Sequence, residues 1–226
     1  MTFRISPCIG VCTPDIETAS QFYCEAMGMD LDSFEEGAEL IAGPLHLFLD
    51  KGPRGSVVFE LLTSDLEAAQ GKLKFYGYET VSWNGAGRAN IVRDPFGLVF
   101  NVFEYGDDEP LEVDRDSHRV YRAMIGAVTP SPKPIAEFYS MVLQQPANKL
   151  TDGSYLLAGG DVSLRFRPGE TDAQVLWLGH EAPVDLLIDV GCRPLEDDLS
   201  VFTDPFGVSW AVETRVQPTH AVVNPL

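Results

Sequence analysis

The sequence has no long apolar run and few basic residues. None of its apolar stretches approaches the roughly 20 residues that a membrane-spanning helix requires, and its first ten residues lack the basic and apolar segments of a secretory signal peptide. It carries 16 Lys and Arg against 34 Asp and Glu, a formal net charge of −18. Nucleic-acid binding depends on Lys and Arg that displace cations from the phosphate backbone. We therefore expect a soluble cytoplasmic protein with neither a nucleic-acid nor a membrane partner.

Cysteines and catalytic motifs are also scarce. The four cysteines show neither C-x-x-C spacing nor the density of a disulfide scaffold, so reduced thiols are expected. The sequence has no Gly-rich phosphate loop, no G-x-S-x-G motif and no H-E-x-x-H motif. A nucleophilic Cys8 would need a lowered pKa and a neighbouring base, and the sequence reveals neither. Cys8 is therefore interpreted as a small core thiol without a catalytic role.

The chain is instead rich in apolar residues and contains an internal repeat. Its 226 residues, 45% of them apolar, are sufficient for one large domain or two small ones. Four motifs recur in the same order: IGVCTP at 9–14 as IGAVTP at 125–130, FY at 22–23 and 138–139, LIAG at 40–43 as LLAG at 156–159, and DPFG at 94–97 and 204–207. The repeat predicts a tandem duplication, with a first domain at 1–106, a linker at 107–118, a second domain at 119–216 and a tail at 217–226.

Alternating periodicities predict the order of helices and strands. The first copy indicates β-α-β-β-β twice, with Thr13 and Ser64 as helix N-caps and a hairpin turn at 94–97. The second copy follows the same order, but its residues 181–191 could form either a helix or a buried strand. The predicted fold class is α+β: two tandem domains, each of paired β-α-β-β-β units forming a curved mixed sheet around a cleft.

Strand alternation indicates which side chains line that cleft. In the first copy, one face of each strand is uniformly apolar and is expected to pack against the helices. The opposite faces combine polar and aromatic residues, which is typical of a small-molecule site; they carry His46, Phe48, Asp50, Glu60, Asn101 and Phe103. In the second copy the corresponding face carries Arg165, Arg167 and Glu213, so the two clefts are not expected to bind the same ligand.

The paired units, the repeated Phe-Tyr pairs and the Asp-Pro-Phe-Gly hairpins resemble the vicinal oxygen chelate superfamily, which includes glyoxalase I, bleomycin-resistance proteins and extradiol dioxygenases. This resemblance implies three metal-ligand positions in each copy. Counting from the shared motifs assigns them to Cys8, Val58 and Asn101, and to Met124, Gln174 or Val175, and Ala211. Because none of these is a histidine or a carboxylate, the sequence predicts no metal site and no cofactor.

The resemblance implies a function similar to that of the bleomycin-resistance proteins, namely sequestration of a small, cationic or aromatic molecule. The expected ligand-binding residues in the first domain are Cys8, His46, Phe48, Asp50, Glu60, Asn101 and Phe103. Two alternatives stay open: an enzyme of the superfamily (lyase, isomerase or dioxygenase) with a metal displaced to His46, Asp50 and Glu60 or with metal-free acid/base catalysis, and a scaffold without ligand. For His46 and Asp50, a solvated hydrogen-bonded pair at a strand end is favoured over a displaced metal site. The protein is expected to be a monomer or a homodimer.

Overall fold

The structure is a computed structural model that describes residues 3–34, 37–105, 120–159, 162–170, 172–180, 185–195 and 201–214. The predicted linker at 107–118 and the predicted tail at 217–226 lie outside the described residues.

The first copy forms a mixed sheet with two helices. Its elements are β1 (Arg4–Ile5), β2 (Cys8–Thr13), α1 (Ile16–Glu25), β3 (Asp30–Phe34), β4 (Ala38–Ala42), β5 (Leu45–Lys51), β6 (Ser56–Thr63), α2 (Leu66–Phe75), β7 (Glu79–Ser82), β8 (Ile91–Arg93) and β9 (Val99–Glu104). The strand order is β3-β4-β5-β2-β6-β9-β8-β7, and β1 also pairs with β6. Two β-α-β-β-β units are therefore joined through the antiparallel β2–β6 pair, as the sequence predicts.

The second copy repeats this topology. Its elements are β10 (Val120–Thr129), α3 (Pro132–Leu143), β11 (Asn148–Lys149), β12 (Tyr155–Ala158), β13 (Ser163–Pro168), β14 (Ala173–His180), α4 (Asp185–Asp189), β15 (Arg193–Pro194), β16 (Val201–Thr203) and β17 (Ser209–Thr214). The strand order β11-β12-β13-β10-β14-β17-β16-β15 matches that of the first sheet. The ambiguous segment contains a short helix, α4, so the strand alternative for it is wrong.

The two helices of the first copy begin later than predicted. Asp15 and Asp65 are the N-caps, and their side chains accept hydrogen bonds from Thr18 N and Ala68 N. Thr13 lies in the turn before the helix, where its hydroxyl accepts a hydrogen bond from Asp15 N at 3.3 Å. A carboxylate caps the positive end of a helix dipole more strongly than a hydroxyl, which accounts for the corrected boundary.

Helices α1 and α3 both make contacts between the two copies. The ring of Tyr23 on α1 lies 5.7 Å from the ring of Trp210, and the ring of Tyr139 on α3 lies 6.0 Å from that of Phe100. Residues of both copies consequently share one hydrophobic core. Within the part of the chain that the structure describes, no helix is long and apolar enough to cross a membrane.

Each copy also hydrogen-bonds the Asp-Pro-Phe-Gly turn of the other. Tyr23 Oη donates to Asp204 Oδ2 at 2.7 Å, and Tyr139 Oη donates to Asp94 Oδ2 at 2.6 Å. Both turns close as predicted, since Gly97 N donates to Asp94 O and Gly207 N donates to Asp204 O, each at 3.1 Å. In both copies, the aspartate that begins the turn therefore also forms a hydrogen bond between the domains.

Candidate functional site

The first sheet has one face against the helices and one face without them, which we call the open face. Side chains such as Ile9, Leu47 and Phe59 belong to the core on the helix side. The open face is partly exposed and carries Cys8, Gly10, Cys12, His46, Phe48, Val58, Glu60, Val99 and Asn101. Among the described residues, none of the helices packs on this face. The predicted division of the strands into two faces is confirmed.

Four of the predicted residues lie side by side across the open face. Cys8 on β2 pairs with His46 on β5, and Glu60 on β6 pairs with Asn101 on β9. Ser6 joins these two pairs, because its N–H donates to Glu60 O at 3.0 Å and its hydroxyl accepts from Cys8 N at 3.0 Å. We call His46, Cys8, Glu60 and Asn101 the central row. Val58 pairs with Gly10, one step along the face from this row.

His46 is held by a carboxylate that sequence reasoning missed. Its Nδ1 lies 2.8 Å from Glu39 Oε1, and the two side chains are 19% and 22% exposed. The interpretation that His46 bonds Asp50 is wrong, because four residues along a strand span about 13 Å. Asp50 is exposed and pairs instead with Cys12. Burial, and secondarily the charge of Asp50, raise the pKa of the Cys12 thiol.

Glu60 is the acid of the central row, and its side chain is largely buried. Burial raises its pKa, and hydrogen bonds with Ser6 and Asn101 partly oppose that rise. Asn101 Nδ2 donates to Glu60 Oε2 at 3.1 Å, while Asn101 Oδ1 accepts from Asn90 N at 2.9 Å. These two bonds fix the amide of Asn101 with its nitrogen toward Glu60. The row therefore presents a carboxyl group whose proton is bound more tightly than that of an ordinary glutamate.

The remaining predicted residues lie around the row. Phe48 pairs with Gly10 on one side of it, and Asp50 lies one step further in the same direction. Phe103 pairs with Leu62 on the other side of the row and is 40% exposed. The structure thus brings four of the seven predicted residues together and distributes the other three along the same face.

The equivalent row of the second domain has no acid, imidazole or thiol. Met124 pairs with Ser163 and Trp177, and Trp177 pairs with Ala211. Trp177 therefore occupies the position assigned from sequence to Gln174 or Val175, and that assignment is wrong.

The two arginines predicted for the second cleft cover this row. The guanidinium groups of Arg165 and Arg167 lie 4.6 Å and 5.6 Å from the Trp177 ring centroid. Arg165 also binds Asp152 at 2.7 Å. The side chain of Glu213 is outside the described part of the chain. The second open face is thus filled by its own side chains, whereas the first keeps its polar groups partly exposed.

Two cavities lie away from the central row. One of about 500 Å³ is an open groove beside α2, lined by Gln70, Gly71, Lys74, Tyr78 and Thr80. The other, about 160 Å³, lies between the copies and includes Phe96, Ile135 and Gln174 in its lining. Neither brings together several titratable side chains. We therefore base the candidate site on the central row, where acid, imidazole, thiol and amide groups converge.

Known proteins resemble this chain in structure and not in sequence. No family model matches it, and no curated protein does. The Mn(II)-bound glyoxalase from Novosphingobium aromaticivorans superimposes with a TM-score of 0.61 at 14% identity, over 95% of this chain and 84% of that one. A catechol 2,3-dioxygenase gives 0.58 at 15% identity, over 96% and 89% of the two chains. A mutant of 4-hydroxymandelate synthase from Streptomyces coelicolor gives 0.59 at 11% identity, over 96% and 94%.

The chain has the vicinal oxygen chelate fold. Likeness at such low identity establishes the fold alone, because one fold hosts many chemistries. The function has to be argued from the residues of the open face.

The metal positions implied by the vicinal oxygen chelate fold do not carry a fitting set of donors here. In the second domain the strand register sets Met124, Trp177 and Ala211 side by side, and the equivalent residues of the first domain are Cys8, Glu60 and Asn101. Asn101 turns its nitrogen, not its oxygen, toward Glu60. Divalent ions of this fold prefer imidazole and carboxylate donors. Among the residues with described side chains, no three His, Cys, Asp or Glu are grouped as metal ligands.

Proposed function

We propose that the open face of the first domain binds a small cationic, aromatic molecule without a metal ion, and that the protein sequesters this molecule. The observation that carries the proposal is the contrast between the two rows. The first has the partly exposed groups of Glu39, His46 and Glu60, and the second has Trp177 packed under arginine. A carboxylate in a partly desolvated site forms stronger hydrogen bonds with a cation than one in bulk water.

Two further features support a cationic and aromatic ligand. Phe48 and Phe103 lie on either side of the central row, where their ring faces can contact an aromatic guest or a cation. The net charge of −18 concentrates cations near the protein. The four cysteines form no disulfide, which supports the proposal that the protein works in the cytoplasm.

Glu60→Gln tests the proposal because it removes the charge and keeps the shape. Thioflavin T, a permanent aromatic cation, serves as the probe in a fluorescence titration. We expect Glu60→Gln to raise its Kd about tenfold, since the attraction between a partly buried carboxylate and a nearby cation reaches a few kcal/mol and about 1.4 kcal/mol corresponds to a factor of ten. The control is Glu137→Gln, which removes an exposed acid of α3 and changes the net charge equally. Equal Kd values for the two variants would contradict the proposal.

The pH dependence of binding gives a second readout. The pKa of Glu60 is raised, so this group loses its charge at a higher pH than an ordinary glutamate, whose pKa is about 4.3. Affinity for thioflavin T should therefore decrease as the pH is lowered, beginning above that range. Glu39, His46 and Asp50 are other ionisable groups of this face, so the contribution of Glu60 is the part of the pH dependence that disappears in Glu60→Gln. A pH profile identical in the two proteins would contradict the assigned role.

A further inference from the structure

The central row contains a thiol beside a histidine that is already oriented by a carboxylate. Cys8 and His46 are register partners on adjacent parallel strands, which lie about 4.8 Å apart, and both side chains are on the open face. His46 Nδ1 contacts Glu39 Oε1 at 2.8 Å. A carboxylate accepts hydrogen bonds, so Nδ1 carries the proton and Nε2 is the basic nitrogen. A thiol, an imidazole and a carboxylate on neighbouring strands are the three groups from which catalytic thiols are activated, once the base comes within hydrogen-bond reach of the thiol.

The other three cysteines have the opposite surroundings. Cys12 lies on the same strand and the same face as Cys8, but its partner on β5 is Asp50. Burial and then Asp50 raise its pKa. Burial and then the charge of Asp30 raise the pKa of Cys24, and burial raises that of Cys192 to about 12. Among the four cysteines, Cys8 is thus the one with an imidazole as its cross-strand partner.

We propose that Cys8 is a nucleophile, with His46 as its base and Glu39 as a positioning residue, and that it captures small electrophiles of the α,β-unsaturated carbonyl class. His46 Nε2 accepts the proton of Cys8 Sγ, and the thiolate forms a bond with the β-carbon of the electrophile. The π electron pair of the carbon–carbon double bond moves toward the carbonyl oxygen. His46 then returns the proton to the α-carbon, so that the thiol has added across the double bond with no change of oxidation state.

The surrounding charges select among such electrophiles. Glu39 and Glu60 flank His46 and Cys8, and Asp50 lies further along the same face. Uncharged or cationic electrophiles therefore approach the thiol more easily than anionic ones. This inference uses the same face as the proposed function, and it deepens that function from reversible to covalent binding.

The test compares two cysteines of the same protein. The full-length chain is treated with N-ethylmaleimide, itself an α,β-unsaturated carbonyl compound, and the labelling rate of each cysteine is followed by peptide mass spectrometry. We expect Cys8 to react at least about tenfold faster than Cys12 in the unmodified sequence, the difference that one unit of thiol pKa produces. Equal rates, or a faster Cys12, would overturn the proposal without any variant being needed.

Variants then assign the roles. His46→Gln should reduce the rate of Cys8 to about that of Cys12, while Cys12 keeps its rate and the buried Cys192 stays unlabelled as a sign of folding. Glu39→Gln should slow Cys8 by a smaller factor, and Glu39→Asp should restore part of the rate, which a purely structural contact would not do. An unchanged rate of Cys8 in a folded His46→Gln protein would rule out the base. If Cys192 becomes labelled in His46→Gln, that variant is not properly folded, and His46→Asn is used for the same comparison.

Two measurements separate this inference from the proposed function. Iodoacetate should label Cys8 more slowly than iodoacetamide, because the face is acidic. The ratio of the two labelling rates should be larger in the folded protein than in the unfolded chain. Cys8→Ser should abolish the covalent adduct at this position, while reversible binding of thioflavin T is measured on the unmodified sequence. Fast labelling of Cys8 without thioflavin T binding would sustain the nucleophile and refute the cationic ligand, and the reverse result would do the opposite.

Discussion

Replacement of Asp204 by alanine is expected to lower the free energy of unfolding by about 4 kcal/mol, because it leaves four buried donors without their acceptor. Asp204 Oδ2 accepts hydrogen bonds from Tyr23 Oη at 2.7 Å and Trp210 Nε1 at 2.8 Å. Its Oδ1 accepts from the backbone N–H groups of Phe206 and Val208 at 2.8 and 3.0 Å. One carboxylate therefore closes the turn, fixes the indole and binds the helix of the other domain. Urea unfolding measures the loss.

Matched variants separate these contributions. Tyr23→Phe removes a single donor and should cost about 1–2 kcal/mol, whereas Asp32→Ala, at an exposed position of β3, should stay within about 0.5 kcal/mol of the unmodified protein. The hydrogen bond between Tyr23 and Asp204 crosses the domain boundary, so both domains should unfold in one transition. An Asp204→Ala protein within about 1 kcal/mol of the original stability would show that the turn does not depend on this carboxylate.

Gly126→Ala is expected to have the second large effect. A Cβ atom at Gly126 on β10 would overlap the backbone carbonyl oxygen of Arg165 on β13, and a strand carbonyl cannot move without breaking the ladder. We expect a loss of at least about 3 kcal/mol, or failure to fold, since overpacking against fixed backbone exceeds the usual cost of about 1–3 kcal/mol.

The first copy supplies the control for this glycine. Gly10 holds the equivalent place in the repeated motif, but a Cβ there would meet Val58 Cβ at 3.7 Å, an ordinary contact. Gly10→Ala should therefore change the stability by less than about 1 kcal/mol. Similar melting temperatures for the two alanine variants would refute the account of the crowded second sheet.

The fold was predictable because its signals are local or repeated. Turn residues such as Asp94 and Gly97 specify a hairpin by their own chemistry, and strand alternation shows which side chains share a face. The repeat then transfers every inference from the first copy to the second. The contacts between copies were not predictable, since the bond from Tyr139 to Asp94 joins residues that no periodicity connects.

The sequence predicted which face of the sheet carries the candidate site, but not which residues of neighbouring strands lie beside one another. Periodicity does not reveal that the chain breaks between β1 and β2 at Ser6 and Pro7, where Ser6 N donates to Glu60 O. Glu39 was missed because alternation within β4 does not reveal which residue of β5 lies beside it. The same limit concealed the base that Cys8 has in His46, and with it the reactive interpretation of that thiol.

The central claim is that the central row of the first domain binds its ligand without a metal ion, although related folds hold a metal at this place. Its most direct test is inductively coupled plasma mass spectrometry of the protein after equilibration with Mn²⁺, Fe²⁺ or Zn²⁺ and removal of free ion. We predict less than about 0.1 equivalent of any divalent ion, because the thiol, carboxyl and amide of Cys8, Glu60 and Asn101 make a poor donor set. About one equivalent of bound metal that is lost in Asn101→Ala or Cys8→Ala would contradict the account.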